Sequence, residues 1–169
     1  MSIILGIDPG LATVGFGVVE SKGGKLKFLD CGIIKTAPTL EFPERLHIIK
    51  HDVLKLLNSI KPDAVGVEEL FFARNVTTAI KVAHARGVIM ESIYEKRIPI
   101  FNFTPLQIKN NIAGYGMADK WQIQEMVKRI LHLSRHPKPD DAADALAIAI
   151  CTERVLSTNA CLKKTLNNT

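Results

Sequence analysis

The chain has 169 residues, of which 47% are hydrophobic and 23% charged, and it carries a net charge of +5. This composition is typical of one globular domain and argues against a disordered chain. The uninterrupted apolar stretches are too short to span a bilayer, and the N-terminus lacks signal-peptide features. The three cysteines have no CxxC spacing, which favours reduced thiols. We therefore expect a cytoplasmic protein with no membrane contact.

The first part of the chain predicts an antiparallel sheet. Residues 2–8 and 13–20 form two apolar strands joined by a turn at Pro9-Gly10. Residues 25–36 form a third strand after Gly23-Gly24. Because such short links make hairpins, we expect the three strands to be antiparallel neighbours.

The remaining chain alternates helix and strand. Apolar periodicity predicts helices over 43–59, 75–96, 104–112 and 119–132, strands over 63–69 and 98–103, and a last helix from near Asp140 past Cys151. This order predicts an α/β fold with a mixed sheet of about five strands flanked by helices. We expect residues 1–156 to form a single domain and residues 157–169 a polar, frayed tail.

Asp8 interrupts the apolar run of the first strand. An ionised carboxylate that is buried there costs several kcal/mol unless a cation offsets it. The first Lys or Arg in the chain is Lys22, beyond the next apolar run. The partner of Asp8 therefore comes from a distant part of the chain or from outside the protein.

Three more acids occupy comparable positions. Glu68 ends the fourth strand, and strand ends are where ligands collect in open α/β sheets. Asp141 and Asp144 are three residues apart and so share one face of the last helix. Asp140 or Asp141 could simply cap that helix, but Asp144 lies a turn further on among Ala and Ile.

These four carboxylates lie on apolar elements without an obvious cationic side-chain partner. Hard oxygen ligands suit Mg²⁺ or Mn²⁺, and no Cys or His spacing indicates zinc. Two such ions can activate a water and stabilise the leaving oxygen of a phosphodiester. The pattern favours metal-dependent chemistry on a phosphate, with Asp8, Glu68, Asp141 and Asp144 as ligands.

The charge is concentrated in one region. Residues 74–138 hold eleven Lys or Arg and only four Asp or Glu, while the rest is slightly acidic. A basic region beside an acidic cluster indicates nucleic acid as the partner. Arg74, Lys81 and Arg86 are candidate DNA contacts from this region.

Five motifs, in this order and spacing, resemble the RuvC family of bacterial Holliday-junction resolvases over nearly the whole chain, to about residue 152. They are LGIDPG, VEELFFARN, KVAHARG, QIKNNIAGYGMADKWQIQEMV and DDAADALAIAI. The resemblance implies a ribonuclease-H-like fold and a structure-selective endonuclease that resolves four-way junctions in recombination and repair. It implies two Mg²⁺ per subunit, for which Mn²⁺ can substitute, and the branch-migration proteins RuvA and RuvB as partners.

The resemblance also assigns residues. The acids Asp8, Glu68, Asp141 and Asp144 would bind metal and cut DNA, although Glu69 or Asp140 could share the work. Phe71, with Phe72 beside it, would hold bases apart at the crossover. Basic residues near the scissile phosphate match Lys109 and Lys120.

Two other functions compete. A nucleotide-phosphate enzyme of the actin and sugar-kinase type also uses an aspartate-glycine strand turn, but needs two such domains around a cleft. A binder on the same fold without catalysis gains nothing from four buried acids. Metal-dependent cleavage of a four-way junction separates all three functions.

A homodimer is also expected. A four-way junction has approximate two-fold symmetry, and its resolution needs two paired nicks, whereas one domain carries one carboxylate cluster. The helix TTAIKVAHARGVIMESIYE has more apolar and small positions than one core face needs, and it is the predicted interface: Ile80, Ala83, Gly87, Val88 and Ile93.

Overall fold

The computed structural model describes the backbone of residues 1–70 and 76–166 and the side chains of residues 1–70 and 79–162. The elements in chain order are β1 Ser2–Asp8, β2 Thr13–Lys22, β3 Lys25–Lys35, α1 Phe42–Ile60, β4 Ala64–Glu68, α2 Val76–Glu95, β5 Ile100–Phe103, α3 Pro105–Ala113, α4 Lys120–Ile130 and α5 Asp140–Leu166.

The five strands form one sheet in the order β3-β2-β1-β4-β5. β1, β2 and β3 are antiparallel neighbours, as their short hairpin links predict. β4 runs parallel to both β1 and β5, because a helix separates each pair of strands along the chain. The predicted mixed five-stranded sheet flanked by helices is confirmed.

Some boundaries differ from the sequence-based expectation. The fifth strand begins at Ile100 rather than residue 98, and α4 ends at Ile130 rather than residue 132. α5 continues to Leu166, so residues 157–166 are helical. The side chains of residues 157–162 are exposed, which explains their polar composition. The domain boundary at residue 156 stays a prediction.

Alternate residues of the strands face two separate cores. Leu5 and Ile7 of β1 face a core closed by α1 and α2, whereas Ile4 faces a core closed by α3, α4 and α5. Asp8 is on the same face of β1 as Ile4, since side chains alternate along a strand. The carboxylate of Asp8 is therefore directed to the face that α5 covers.

α5 packs unusually close to the sheet, over a row of three glycines. Gly17, Gly6 and Gly66 are register partners across β2, β1 and β4. A β-carbon on Gly17 would lie 2.6 Å from the backbone nitrogen of Leu146, and one on Gly6 would overlap the carbonyl oxygen of Ala145. The backbone of α5 thus rests directly on the backbone of the sheet.

By length and composition, the segment Asp140–Leu162 of α5 could cross a membrane. Half of this segment is buried, however, and its residues from Ala142 to Cys151 are almost all inaccessible to solvent. Its apolar character is accounted for by its position in the protein core.

Candidate active site

Four carboxylates converge at one edge of the sheet from three elements. Asp8 ends β1 and Glu68 ends β4, and these strands are parallel neighbours with Ile7 opposite Val67. Asp141 and Asp144 lie in the first turns of α5, and both raise the pKa of Asp8 through their negative charge. The structure therefore brings the four predicted acids together.

Asp8 and Glu68 are joined by a hydrogen bond between their carboxyl groups. Burial, with the charges of Asp144 and Asp141, raises the pKa of Asp8 to about 6. Burial and the nearby Asp8 raise the pKa of Glu68 to about 8. Both pKa values are raised because negative charge is crowded into a half-buried site. A bound cation would relieve this crowding.

Asp144 has a cationic partner that the sequence did not reveal. Lys120 Nζ lies 3.2 Å from Oδ2 of Asp144 and 3.3 Å from Oδ2 of Asp140. Burial raises the pKa of Asp144, and Lys120 opposes that shift. The expectation that all four acids lack a cationic side-chain partner is therefore wrong for Asp144, because the packing of α4 on α5 brings in a lysine from a distant motif.

The two members of each acidic doublet have different surroundings. Asp140 is exposed, accepts a hydrogen bond from Gln124 and pairs with Lys120, and both contacts lower its pKa. Asp141 lies close enough to Asp8 for its charge to raise the pKa of Asp8. Glu69 is exposed, and its backbone nitrogen donates to the carbonyl oxygen of Phe103.

Lys109 and Lys120 both lie beside the carboxylates, and Lys120 contacts one of them directly. Both line a cleft of about 230 Å³ together with Glu68 and Asp144. The start of α4 is fixed just before Lys120 by a capping box, in which Asp119 accepts from the backbone of Gln122 and the Gln122 side chain accepts in return. This capping box fixes the first turn of α4, which carries Lys120, beside the acids.

Arg86 makes contacts within the protein. Its Nε donates to the carbonyl oxygen of Glu68 at 2.9 Å, and its Nη2 donates to Oδ1 of Asn102 at 2.7 Å. These bonds tie α2 to the ends of β4 and β5 and so position the strand end that carries Glu68. Its predicted role as a DNA contact stays a prediction, as does that of Lys81, which is exposed on α2.

Phe71, Phe72 and Arg74 lie outside the described residues. Among the residues that the structure does describe, no three His, Cys, Asp or Glu side chains are arranged as a ready set of metal ligands. The donor set still suits a hard divalent cation, because all four groups are carboxylates and the half-buried Asp8 and Glu68 lie at the ends of adjacent parallel strands.

Comparison with known proteins agrees with this geometry. Residues 4–152 match the family model described as crossover junction endodeoxyribonuclease RuvC. The RuvC protein of Alkaliphilus oremlandii is 52% identical over 149 residues, which cover 88% of this chain and 91% of that protein. The RuvC protein of Ruminiclostridium cellulolyticum is 50% identical over 149 residues, covering 88% of this chain and 90% of that protein.

Solved structures give the same result. Thermus thermophilus RuvC is 40% identical with a TM-score of 0.81, covering 88% of this chain and 92% of that one. T. thermophilus RuvC in complex with a Holliday junction substrate is 39% identical with a TM-score of 0.84, covering 89% and 92%. The chain belongs to the RuvC family of crossover junction endodeoxyribonucleases.

Proposed function

We propose that this protein resolves four-way DNA junctions by hydrolysing phosphodiester bonds at a site formed by Asp8, Glu68, Asp141 and Asp144. The observation that carries the proposal is the convergence of Asp8 and Glu68, at the ends of two adjacent parallel strands, with Asp141 and Asp144 of α5. Family membership supplies the reaction class and the junction as substrate. The two lysines in the cleft supply the positive charge that a DNA phosphate needs.

We further propose that Asp8, Glu68, Asp141 and Asp144 hold two divalent ions, Mg²⁺ with Mn²⁺ as a substitute. Two such ions, when bound, activate a water and stabilise the leaving oxygen of a phosphodiester. Proton release from Asp8 and Glu68 would accompany loading. Lys120, now between Asp140 and Asp144, is placed to contact a phosphate oxygen, and Lys109 lines the same cleft.

A second copy of the chain would supply the second nick. Ile80, Ala83, Gly87, Met90 and Tyr94 recur along α2 at spacings of three and four residues. Ile80 is 49% and Tyr94 68% exposed, and a β-carbon on Gly87 would have no atom within 4 Å. This surface, here called the α2 seam, is a helix face of the kind that pairs in a parallel or antiparallel dimer.

Two residues of the predicted interface are placed differently. Ile93 is fully buried in the core between α2 and the sheet, and Val88 packs against the same core. They belong to the face of α2 that covers the sheet, because they are out of phase with Ile80, Gly87 and Tyr94. The proposed homodimer therefore rests on the α2 seam, to which Met90 and Tyr94 are added.

Several further roles follow from the family alone. Phe71, with Phe72, would wedge bases apart at the crossover, and Arg74 would contact the DNA backbone. RuvA and RuvB would deliver the junction, and the protein would act in the cytoplasm. These remain proposals, since they depend on residues outside the described ones or on other proteins.

The decisive experiment incubates purified protein with Mg²⁺ and either a synthetic four-way junction or a linear duplex of matched sequence. We expect symmetric paired nicks in the junction, little cutting of the duplex, and no cutting in EDTA. Binding of the junction without metal-dependent nicking would instead identify a non-catalytic junction binder. Equal cutting of both substrates would contradict structure selectivity.

A further inference from the structure

A second basic surface lies outside the carboxylate cleft. It is an open groove of about 880 Å³ between the edge strand β3 and the segment 131–139 that joins α4 to α5. Phe28 and Cys31 of β3 form one side, and the residues with basic side chains that line it are Lys128, Arg135, His136 and Lys138. We call this surface the basic groove.

The positive charge of the basic groove is only partly neutralised. Glu125 pairs with two of the lining residues, since its carboxylate lies 2.8 Å from His136 and 4.0 Å from Lys128, and it also contacts Arg129 at 2.8 Å. Arg135 and Lys138 have no carboxylate within 4.0 Å in the part of the chain that the structure describes. These two residues are therefore available to an anionic ligand.

Asp30 adjoins the β3 side of the basic groove. Its Oδ1 accepts a hydrogen bond from the backbone nitrogen of Cys31 at 2.8 Å, and its charge adds to the effect of burial in raising the pKa of the Cys31 thiol. Asp30 therefore offsets some of the positive charge beside β3, but it is not paired with Arg135 or Lys138 in the described part of the chain.

The segment that carries Arg135 and Lys138 is anchored, although it contains no regular element. Pro137 is buried, and His136 Nε2 is 2.8 Å from Oε2 of Glu125 on α4. The ring of His136 also meets the exposed ring of Trp121 edge to face, with centroids 6.4 Å apart. Arg135 and Lys138, which flank His136 and Pro137 in the sequence, are thus carried by a segment that is anchored to α4.

Lys138 and Asp140 connect the basic groove to the surroundings of the carboxylate cleft, although the groove and the cleft share no lining residue. Lys138 lies two residues before Asp140 and contributes to the lowering of the Asp140 pKa, after the larger effects of Gln124 and Lys120. Lys120 in turn pairs with both Asp140 and Asp144. Positive charge therefore extends from the cleft past the start of α5 to the edge of the sheet.

We propose that the basic groove binds the phosphate backbone of a duplex arm of the junction, away from the cleaved bond, through Arg135 and Lys138. DNA is the occupant that this position favours, because the groove adjoins the cleft that the proposed function assigns to a DNA phosphate. The inference rests on that proposed function for the identity of the polyanion. It adds a contact surface to Lys109 and Lys120, and its role is affinity rather than chemistry.

The first test measures the salt dependence of junction binding in an Asp8→Asn background, which prevents cutting. Each phosphate contact contributes about 0.9 to the slope of log affinity against log salt. We expect the double change Arg135→Gln and Lys138→Gln to reduce the slope by about two units. The control Lys55→Gln and Lys61→Gln removes the same charge from the α1 side and should leave the slope unchanged.

The charge-retaining change Arg135→Lys with Lys138→Arg should restore the wild-type slope, which separates loss of charge from loss of fold. An unchanged slope in the Gln variant, or an equal decrease in the α1 control, would overturn the proposal. If the Asp8→Asn protein does not bind junctions at all, the proposed function itself fails. The two failures are therefore distinguishable.

A second test locates the DNA directly. In a Cys31→Ser, Cys161→Ser background, which removes the native thiol of the groove, Ser134→Cys places a thiol on the lining of the basic groove, and Asn58→Cys places one on the exposed surface of α1. We expect a junction with thiol-tethered phosphates along one arm to form a disulfide with Ser134→Cys only. Equal crosslinking of both variants, or none to Ser134→Cys, would contradict an arm in the groove.

Discussion

Lys120 contacts two aspartates of α5 at once, with its amino group 3.2 Å from Oδ2 of Asp144 and 3.3 Å from Oδ2 of Asp140. The two aspartates differ in surroundings, since the Asp144 side chain is 30% exposed and that of Asp140 is 61% exposed. Lys120 therefore links an acid of the carboxylate cluster to an acid on the surface.

Because Asp144 and Asp140 differ in exposure and in contacts, we expect their variants to differ in the rate of junction cleavage. Asp144→Asn should lower junction cleavage at least about 100-fold, because a metal ligand provides several kcal/mol of transition-state stabilisation. Asp140→Asn should stay within a few fold of wild type, since Asp140 contacts Lys120 and Gln124 rather than Asp8. Single-turnover nicking rates of both variants give the comparison. A severe loss in Asp140→Asn would place that residue among the ligands.

Asp8→Asn should remove cleavage while leaving junction binding intact. The amide has the same size as the carboxylate but lacks the charge of a metal ligand, and it does not alter the basic surface. We expect a decrease in nicking of at least about 100-fold. Fluorescence anisotropy with a labelled junction measures binding. The matched control Asp30→Asn changes an exposed acid far from the cluster and should cleave normally. Full cleavage activity in Asp8→Asn would contradict the assignment of Asp8 as a metal ligand.

The stability of the metal-free protein should depend on pH through Glu68. Its pKa is about 8 in the folded state against an ordinary value of 4.5, so the folded state binds more protons between these limits. Its contribution to the free energy of unfolding therefore decreases as pH rises from about 4.5 to about 8. The pKa of Asp8 is also raised, to about 6, so Asp8 contributes a decrease of the same sign at lower pH. Glu68→Gln should therefore reduce the total decrease, most of all above pH 6, as followed by chemical denaturation in EDTA.

The neighbouring change Glu69→Gln is the control for that measurement. Glu69 is exposed, and its variant should keep the wild-type pH dependence. Addition of Mg²⁺ at pH 8 should stabilise the wild type more than Glu68→Gln, because the cation replaces the proton that Glu68 has lost. Identical pH profiles for wild type and Glu68→Gln would show that Glu68 titrates normally.

Gly15 fixes the distance between β2 and the first turn of α5. A β-carbon there would overlap the carbonyl oxygen of Asp141. Gly15→Ala should therefore lower the free energy of unfolding by about 1–3 kcal/mol through overpacking. A displacement of Asp141 on the order of 1 Å would lower cleavage up to about 100-fold. Thermal denaturation and nicking rates test both effects.

Gly116→Ala is the matched control for Gly15→Ala. Its β-carbon would meet the end of the Leu106 side chain, which is flexible and 58% exposed and can move away. We expect its stability to be within about 0.5 kcal/mol of wild type and its cleavage rate to be unchanged. Equal stability and equal cleavage rates of the two glycine variants would contradict the inference that close packing of α5 on β2 positions Asp141.

Gly87→Arg should convert the proposed dimer to a monomer. A β-carbon on Gly87 meets no atom within 4 Å, so the change leaves the fold of one chain intact but blocks the α2 seam. Sedimentation at micromolar concentration should give a monomer, and junction nicks should become unpaired. Asn58→Arg, which adds the same charge to the surface of α1, should remain dimeric. A dimeric Gly87→Arg protein would place the interface elsewhere.

The sheet and the convergence of the acids could be predicted because both follow from short-range patterns. Alternation of apolar residues defines the strands, and Asp8 and Glu68 each end an apolar strand. The Lys120–Asp144 pair could not be predicted in this way, because it depends on how α4 packs on α5. Which face of α2 is exposed could not be predicted from the sequence either. α2 is apolar both on the side that faces the sheet and along the α2 seam, so the sequence pattern does not distinguish the buried Ile93 from the exposed Tyr94.

The glycine row has a consequence for finding such sites in sequences. Gly6 lies two residues before Asp8, and Gly66 lies two residues before Glu68, so each glycine shares a sheet face with the acid that follows it. The glycine admits the backbone of α5, and the acid then lies where that helix begins. The architecture can therefore be searched for by a combined pattern. Each of two adjacent parallel strands ends in Gly-x-acid, and an alanine-rich helix with acids in its first turns follows. This pattern is more specific for a helix packed closely over a carboxylate site than the acids alone.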